Sequence, residues 1–268
     1  MSSTARTIAV ITGASSGIGA VYADRFAARG YDLILVARRA DRLQTLAARL
    51  AAQHGVQATA LVADLATSAG QDSVAHVLAN NPAVSVLVNN AGMARLAPLA
   101  ANSADDVAAQ LALNITALTR LTHAVLPAFR QRNAGTIINV ASVLGLHSLP
   151  ITAVYSGTKS YVVGFTRGIE QELADTGVRV QAVLPAATAT DLWDPSGVPL
   201  AALAPETVMA ADAMVDAALA GLDQGETLTL PSVADAALIA QYETARVTLF
   251  TSAQTGTVAP RLLPARGV

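Results

Sequence analysis

A glycine-rich turn between a predicted strand and a predicted helix is the feature that most restricts this fold. Residues 12–19 read TGASSGIG, follow the apolar run at 8–11 and lead into an apolar pattern with helical spacing. Glycines at such a turn let backbone amides approach an anion, and the helix that follows adds its positive end. The turn therefore predicts a pyrophosphate site, with a tight turn packed by glycines as the alternative. The predicted contacts are Gly13, Ser15, Ser16, Gly17, Ile18 and Gly19.

Short runs of β-branched residues alternate with longer alanine-rich stretches along the rest of the chain. This alternation is typical of a parallel sheet covered by helices on both faces. The predicted strands lie at 7–12, 32–37, 57–62, 84–89, 136–141, 179–184 and 227–230. The predicted helices lie near 17–29, 39–54, 68–80, 103–131, 153–175 and 206–223, and Pro127 should end or kink the fourth. We predict an α/β fold of the Rossmann type, a doubly wound, seven-stranded parallel sheet with helices on both faces.

We expect a single dinucleotide-binding catalytic domain over residues 1–268, because no linker, repeat or low-complexity segment divides the chain. The segment at about 186–210 is irregular and rich in alanine, proline and threonine, and we predict that it is a lid over the substrate. The segment at about 253–268 is predicted to be a tail, loosely ordered or used in subunit contacts.

Charge and cysteine content exclude several classes of function. The net charge is −2 and no Lys/Arg block occurs, so neither nucleic acid nor an anionic membrane surface is an expected partner. No uninterrupted apolar stretch is long enough for a membrane span, and the polar first seven residues leave no room for a signal peptide. The chain has no cysteine and its histidines lack metal-ligand spacing. We expect a cytoplasmic protein without a bound metal.

A tyrosine and a lysine four residues apart, Tyr155 and Lys159, share one face of a predicted helix. The pattern is weak alone, since about every second chain of this length contains one at ordinary residue frequencies. A surface tyrosine leaning on a lysine stem is the alternative. The position of the Tyr155–Lys159 pair strengthens a functional interpretation, because Ser142 lies thirteen residues before Tyr155, directly after the predicted strand at 136–141. Doubly wound sheets bind their ligands at such strand ends.

Taken in order, these motifs resemble those of the classical short-chain dehydrogenase/reductase family, from residue 7 to about residue 192. The resemblance implies that Tyr155 is the general acid and base and that Lys159 lowers its pKa and holds the nicotinamide ribose. It further implies that Ser142 binds the substrate carbonyl and that Asn114 holds a water linking the lysine to solvent. A cation about 4 Å away is worth about 4 kcal/mol at an effective dielectric near 20. We therefore expect Lys159 and the positive nicotinamide of the cofactor together to lower the tyrosine pKa toward neutrality, by about two or three units less the opposing effect of desolvation.

The same resemblance implies further contacts to a dinucleotide. Asp64 would hydrogen-bond the adenine amino group, with Leu65 completing the family dipeptide, although a strand-end aspartate is usually a cap. The segment 89–92, NNAG, would end the fourth strand and border the adenosine ribose. The remaining implied contacts are Asn90, Ala91, Gly92, Pro185, Thr188 and Thr190. Ala186 departs from the family pattern, which usually has glycine there.

The end of the second predicted strand indicates which nicotinamide cofactor is used. Ala37 stands where enzymes for NAD usually have a carboxylate, and Arg38 and Arg39 follow it. Guanidinium groups bind a 2′-phosphate bidentately, so we predict NADP(H), with Arg38 the main contact and Arg39 secondary. A solvated basic turn is the alternative.

The predicted substrate pocket is mostly apolar, which favours a hydrophobic ketone or aldehyde. Its predicted members are Met93, Arg95, Leu144, His147, Leu149, Leu192 and Trp193. Arg95 is either a carboxylate contact or a surface residue, and His147 is either a substrate contact or a loop residue.

These observations favour an NADPH-dependent carbonyl reductase or alcohol dehydrogenase acting on a small molecule. A 3-ketoacyl thioester reductase is a close variant, and a non-catalytic NADPH-binding sensor or scaffold is the alternative from another class. By resemblance we expect a homotetramer or homodimer, formed through the alanine-rich helices at about 104–132 and 154–176.

Overall fold

The sheet is confirmed as predicted, with seven parallel strands. In this computed structural model, which describes residues 6–263, their order is β3-β2-β1-β4-β5-β6-β7. Because the order reverses at β1, the carboxyl ends of β1 and β4 open into a crevice, as in other doubly wound folds. The strands are β1 Ile8–Thr12, β2 Asp32–Ala37, β3 Ala58–Val62, β4 Val84–Asn89, β5 Gly135–Val140, β6 Val178–Val183 and β7 Leu228–Thr229.

Helices cover both faces of the sheet because alternate strand residues point to opposite sides. The helices are α1 Gly17–Ala28, α2 Ala40–His54, α3 Ser68–Asn80, α4 Ala104–Leu111, α5 Leu118–Gln131, α6 Ala153–Glu172, α7 Ala211–Asp223 and α8 Ala236–Ala253. In β1, Ala9 and Ile11 pack on one face with residues from α1, α2 and α7, whereas Val10 packs on the other with residues from α3, α5 and α6. No helix within residues 6–263 combines the length and apolarity needed to cross a membrane.

The chain divides into two compact units, the first ending at Pro231 and the second beginning at Ser232. The whole sheet lies in the first unit, and α8 lies in the second. The last five residues of the predicted tail, 264–268, lie outside the described residues. So do residues 1–5, which carry most of the expectation about a signal peptide.

Three helix predictions are wrong in detail. The stretch predicted as one helix at 103–131 contains a π-helical segment at Ala112–Ala117, and α5 continues through Pro127 to Gln131. The helix predicted from 206 begins at Ala211, after a short 3₁₀ turn. Helix α8 was not predicted, because its apolar residues are spread around the helix instead of forming one face.

A buried network of amides and hydroxyls joins β4 and β5 to the helices beside them. Asn89 Nδ2 donates to Asn139 Oδ1 at 2.9 Å and to Thr122 Oγ1 at 3.0 Å. Asn139 Nδ2 in turn donates to Thr166 Oγ1 at 3.0 Å. The four side chains are almost fully buried, so each bond replaces water that the folded protein excludes.

We predict that Asn89→Ala destabilises the protein, because it leaves the oxygens of Asn139 and Thr122 with one donor fewer in a dry interior. The expected loss is about 1–3 kcal/mol in the free energy of unfolding, measured by urea denaturation. Asn80→Ala, which removes an exposed amide at the end of α3, should change it by less than about 0.5 kcal/mol. Equal losses in the two variants would contradict this account of the network.

Candidate active site

A cleft of about 520 Å³ lies at the carboxyl ends of β1, β2 and β4. It brings together most of the predicted dinucleotide contacts, which come from five separate parts of the chain. Those lining it are Gly13, Ser15, Ser16, Gly17, Ile18, Arg38, Arg39, Leu65, Asn90, Ala91, Gly92 and Thr190. Sequence reasoning missed Arg42, Asp191 and Asp194, which also line it, because no motif marks them.

The glycine-rich turn is joined to the turn after β4 by a residue that sequence reasoning gave no role of its own, Thr12. Its Oγ1 accepts the backbone N–H groups of Asn90 at 2.9 Å and Ala91 at 3.0 Å, while Asn90 Nδ2 donates to Thr12 O at 2.8 Å. Gly13 has φ +66°, and a Cβ there would lie 2.7 Å from Asn90 Nδ2. Packing against Asn90 therefore explains part of the glycine requirement, as the alternative interpretation proposed.

The start of α1 fits the phosphates of a dinucleotide. The first amides of any helix lack intrahelical partners, and the side chain of Ser16, the residue before α1, does not cap them. Ser16, Gly17 and Ile18 line the cleft, so these donors and the positive helix end adjoin the space a pyrophosphate would use. Within residues 6–263, no three His, Asp or Glu side chains lie close enough to hold a metal ion.

The two arginines after β2 differ in their surroundings. Arg38 is exposed, lines the cleft, and has no hydrogen-bond or ion-pair partner among residues 6–263. Arg39 instead donates from Nη2 to Ser16 Oγ at 2.7 Å and from Nη1 to Asp191 Oδ2 at 3.2 Å. The free guanidinium is thus the one predicted as the main 2′-phosphate contact.

Asp64 makes a local bond and does not line the cleft. Its Oδ1 accepts the Ala66 N–H at 3.0 Å, as expected of a turn-forming aspartate, and it is the neighbouring Leu65 that lines the cleft. The adenine contact stays a prediction.

A second cavity, of about 260 Å³, adjoins the cleft and contains the predicted catalytic side chains Ser142, Tyr155 and Lys159. Its other predicted lining residues are Met93, Leu144, Pro185, Thr188, Leu192 and Trp193. Leu96, Val143 and Leu203 also line it and were missed, since isolated apolar loop residues carry no sequence signal.

Three predicted pocket residues do not line this cavity. The Arg95 guanidinium is held elsewhere, donating from Nε to Asp106 Oδ1 at 3.1 Å and from Nη1 to the carbonyl of Pro195. It therefore anchors the loop after β6 through the Pro195 carbonyl, and the contact with a substrate carboxylate stays a prediction. His147 and Leu149 are exposed, because the chain turns outward after Leu146.

The predicted catalytic side chains form a compact group. Ser142 Oγ accepts the Leu144 N–H at 3.1 Å and lies near enough to the Tyr155 phenol to lower its pKa, and Lys159 Nζ lies 5.7 Å from the centre of the Tyr155 ring. Lys159 Nζ also donates to Val140 O at 2.8 Å, which fixes the ammonium against the end of β5. One helix, α6, thus carries the tyrosine and the lysine, and the adjacent strand end carries the serine.

Burial shifts the two titrating groups in opposite directions. It raises the pKa of Tyr155 to about 12, although the nearby Ser142 hydroxyl opposes this, and it lowers the pKa of Lys159 to about 8. The expected fall of the tyrosine pKa toward neutrality is therefore not produced by the protein's own groups. Loss of hydration is the largest cause of the tyrosine shift. The phenol is consequently a proton donor at neutral pH.

Asn114 holds the wall between the cavities. Its Oδ1 accepts the Met93 N–H at 2.9 Å, and its Nδ2 donates to Met93 O at 2.9 Å and to Thr158 Oγ1 at 3.0 Å. The side chain thereby joins the turn after β4 to α6. The water-holding role that the resemblance implies stays a prediction.

The chain is similar to known proteins along most of its length. A family model described as short chain dehydrogenase matches residues 7–198. A short-chain dehydrogenase from Sphingobium yanoikuyae, solved in complex with NADPH, is 43% identical, and the match covers 95% of this chain and 99% of that one with a TM-score of 0.91. A bulky-bulky ketone specific alcohol dehydrogenase from Comamonas testosteroni is 37% identical, with coverage of 96% and 99% and a TM-score of 0.87.

Curated relatives match a shorter part. A very-long-chain 3-oxoacyl-CoA reductase-B from Danio rerio is 32% identical over 188 residues, which are 69% of this chain. The match covers 60% of that relative's own length.

We predict that Lys159, the chain's only lysine, titrates near pH 8 instead of near its usual 10.4. Between these values the unfolded chain holds more protons than the folded one, so the free energy of unfolding should rise with pH, by at most about 3 kcal/mol. Labelling with ¹⁵N-lysine gives one side-chain resonance whose midpoint can be read directly. In Lys159→Met the rise in stability between pH 8 and 10 should be absent. A resonance midpoint near 10.4 would show that burial does not lower this pKa.

Proposed function

Because this chain belongs to the short-chain dehydrogenase family, we propose that it is an NADP(H)-dependent oxidoreductase that interconverts a ketone or aldehyde with an alcohol. The observation that carries the proposal is the group of Ser142, Tyr155 and Lys159 in an apolar cavity that adjoins the cleft. Asn90, Gly92, Met93, Thr190 and Leu192 line both spaces, so ligands in the two would meet there.

The nicotinamide, when bound, supplies or accepts the hydride. Ser142 and Tyr155 carry the two hydroxyl donors that can hold a substrate carbonyl oxygen in the cavity, where charge develops during reduction. Tyr155, protonated at neutral pH, passes its proton to that oxygen as the alcohol forms, and it accepts one in the reverse direction. Lys159, with a pKa of about 8, can hold or release a proton at the working pH, and its bond to Val140 keeps it beside the phenol.

Arg38 supports NADP(H) as the cofactor. Its guanidinium, which has no partner among residues 6–263, stands in the cleft after β2, and Ala37 offers no carboxylate to bind the ribose hydroxyls of NAD. The short-chain dehydrogenase of Sphingobium yanoikuyae, similar over nearly its whole length, was solved with NADPH.

The cavity lining supports a hydrophobic carbonyl compound as substrate. Apart from the catalytic group, it consists mainly of Met93, Leu96, Leu144, Leu192 and Trp193 together with other apolar residues. Such walls favour a ketone with apolar groups on both sides, and the similar alcohol dehydrogenase of Comamonas testosteroni is described as specific for bulky-bulky ketones.

A 3-oxoacyl thioester is the second candidate substrate, favoured by the names of the curated relatives. An intact catalytic group argues against a non-catalytic sensor, which has no use for a proton donor. Cytoplasmic location and homo-oligomeric assembly stay predictions from the sequence.

We predict that Tyr155→Phe lowers kcat for ketone reduction at least about 100-fold while NADPH still binds, because only the proton donor is removed. Turnover is measured by loss of NADPH absorbance, with bulky aromatic ketones and 3-oxoacyl thioesters assayed side by side. Tyr161→Phe, on the same helix but outside both cavities, should retain activity. Full activity of Tyr155→Phe would contradict the assigned role, and turnover restricted to the thioesters would favour the second candidate.

We predict that Arg38→Asp lowers kcat/KM with NADPH about 10- to 100-fold, because it removes a charge-assisted contact to the 2′-phosphate. The kcat/KM with NADH should fall far less, so the measurement is the ratio of kcat/KM with NADPH to kcat/KM with NADH. Arg130→Asp reverses an equally exposed charge near the end of α5, away from the cleft, and should leave the ratio unchanged. The same ratio in Arg38→Asp and wild type would refute the cofactor assignment.

A further inference from the structure

Arg39, Arg42 and Asp191 form a strap that joins two sides of the cleft. Asp191, in the loop after β6, accepts from Arg42 Nη1 at 2.8 Å and from Arg39 Nη1 at 3.2 Å. Both arginines lie at the start of α2, on the other side. Arg39 continues the strap to the glycine-rich turn, because its Nη2 also donates to Ser16 Oγ at 2.7 Å and Ser15 Oγ at 2.9 Å.

The strap has the composition of a phosphate site that already contains an anion. Two guanidinium groups and two serine hydroxyls are the donors that recognise phosphate oxygens, and the carboxylate of Asp191 occupies part of this set. The Arg42 and Arg39 guanidinium groups hold the pKa of Asp191 below its usual value, so the carboxylate is ionised at neutral pH. Arg38, the predicted 2′-phosphate contact, adjoins Arg39 in sequence and lines the same cleft.

We propose that Asp191 competes with the 2′-phosphate of the cofactor for Arg39 and Arg42, and so limits the preference for NADP(H) over NAD(H). This inference rests on the proposed function. Each pair is about half exposed, so one carboxylate holds the arginines only weakly, and a phosphate with nearly two charges displaces it. NAD(H) has no phosphate at that position and leaves the strap intact.

Displacement of Asp191 would reach the substrate cavity through the chain. Thr190 and Leu192 flank Asp191 and line both spaces, and Trp193 lines the cavity while its Nε1 donates to Thr188 O at 2.8 Å. Release of the strap therefore frees the segment that forms one wall of the substrate site. Binding of a 2′-phosphate in the cleft is in this way linked to the wall of the substrate cavity.

The test compares Asp191→Asn with Asp194→Asn in the full chain, with dissociation constants for NADP⁺ and NAD⁺ measured by calorimetry. Asp194 lies in the same loop and lines the same cleft but has no ion pair among residues 6–263, so its variant reports the general effect of one lost charge. We expect Asp191→Asn to bind NADP⁺ about two- to fivefold more tightly than Asp194→Asn does, with NAD⁺ affinity equal in the two.

Trp193, the only tryptophan of the chain, gives an independent readout. Adenosine 2′,5′-bisphosphate should change its fluorescence in wild type, whereas AMP should not, because only the former carries the competing phosphate. In Asp191→Asn the bisphosphate should leave the fluorescence unchanged, since the strap is already open.

The outcomes separate this inference from the proposed function. Failure of wild type to bind NADP⁺ would refute the proposed function itself. Binding by wild type with the same NADP⁺/NAD⁺ ratio in both variants would overturn the competition alone. Weaker binding of both dinucleotides to Asp191→Asn would also overturn it, because Asp191 would then hold the cofactor instead of opposing it.

Discussion

The hydrogen bonds of one buried hydroxyl, that of Thr12, underlie the arrangement of both cavities. Its Oγ1 accepts two amides from the turn after β4 and donates to Val88 O at 3.1 Å, with the side chain only 1% exposed. Neighbouring parallel strands fix the spacing of their ends but leave the following turns free, so a specific bond is needed to hold one turn against the other. From that turn the chain continues through Gly92 to Met93, which Asn114 joins to Thr158 of α6. A shift of the glycine-rich turn would therefore be passed on to α6, which carries Tyr155.

The burial that holds Tyr155 and Lys159 in place also sets their protonation states. A phenol and an ammonium placed together in low dielectric each favour their neutral form, which keeps the proton on Tyr155 and weakens its hold on Lys159. A rule based only on the charge of a neighbouring lysine predicts the opposite direction for the tyrosine. The difference arises because desolvation is the largest cause of both shifts.

Much of this architecture is readable from the sequence because it depends on local patterns. Buried β-branched runs define the strands to within about two residues, and the motifs at strand ends lead directly to Gly13, Asn90, Ser142, Tyr155 and Lys159. What the sequence does not show depends on contacts between distant segments. Asn114 lies in a π-helical segment and hydrogen-bonds Met93, which is 21 residues away in the chain. In the sequence Arg95 resembles a free cation, but in the fold Asp106 and Pro195 bind its guanidinium. Helix α8 lacks the one-sided apolar pattern on which helix prediction relies.

The two cavities select their ligands by different physics, although they share a wall. The charged side chains around the cleft, among them Arg38, Arg39, Arg42 and Asp191, act on phosphate through forces that salt screens. The substrate cavity has apolar walls, so it selects by shape and by area removed from water, which salt affects little. The loop after β6 contributes to both, with Asp191 on the charged side and Leu192 on the apolar side. In the proposed competition for Arg39 and Arg42, this one segment links an ion pair that salt screens to a packed apolar surface, because a charged residue and an apolar residue are neighbours in it.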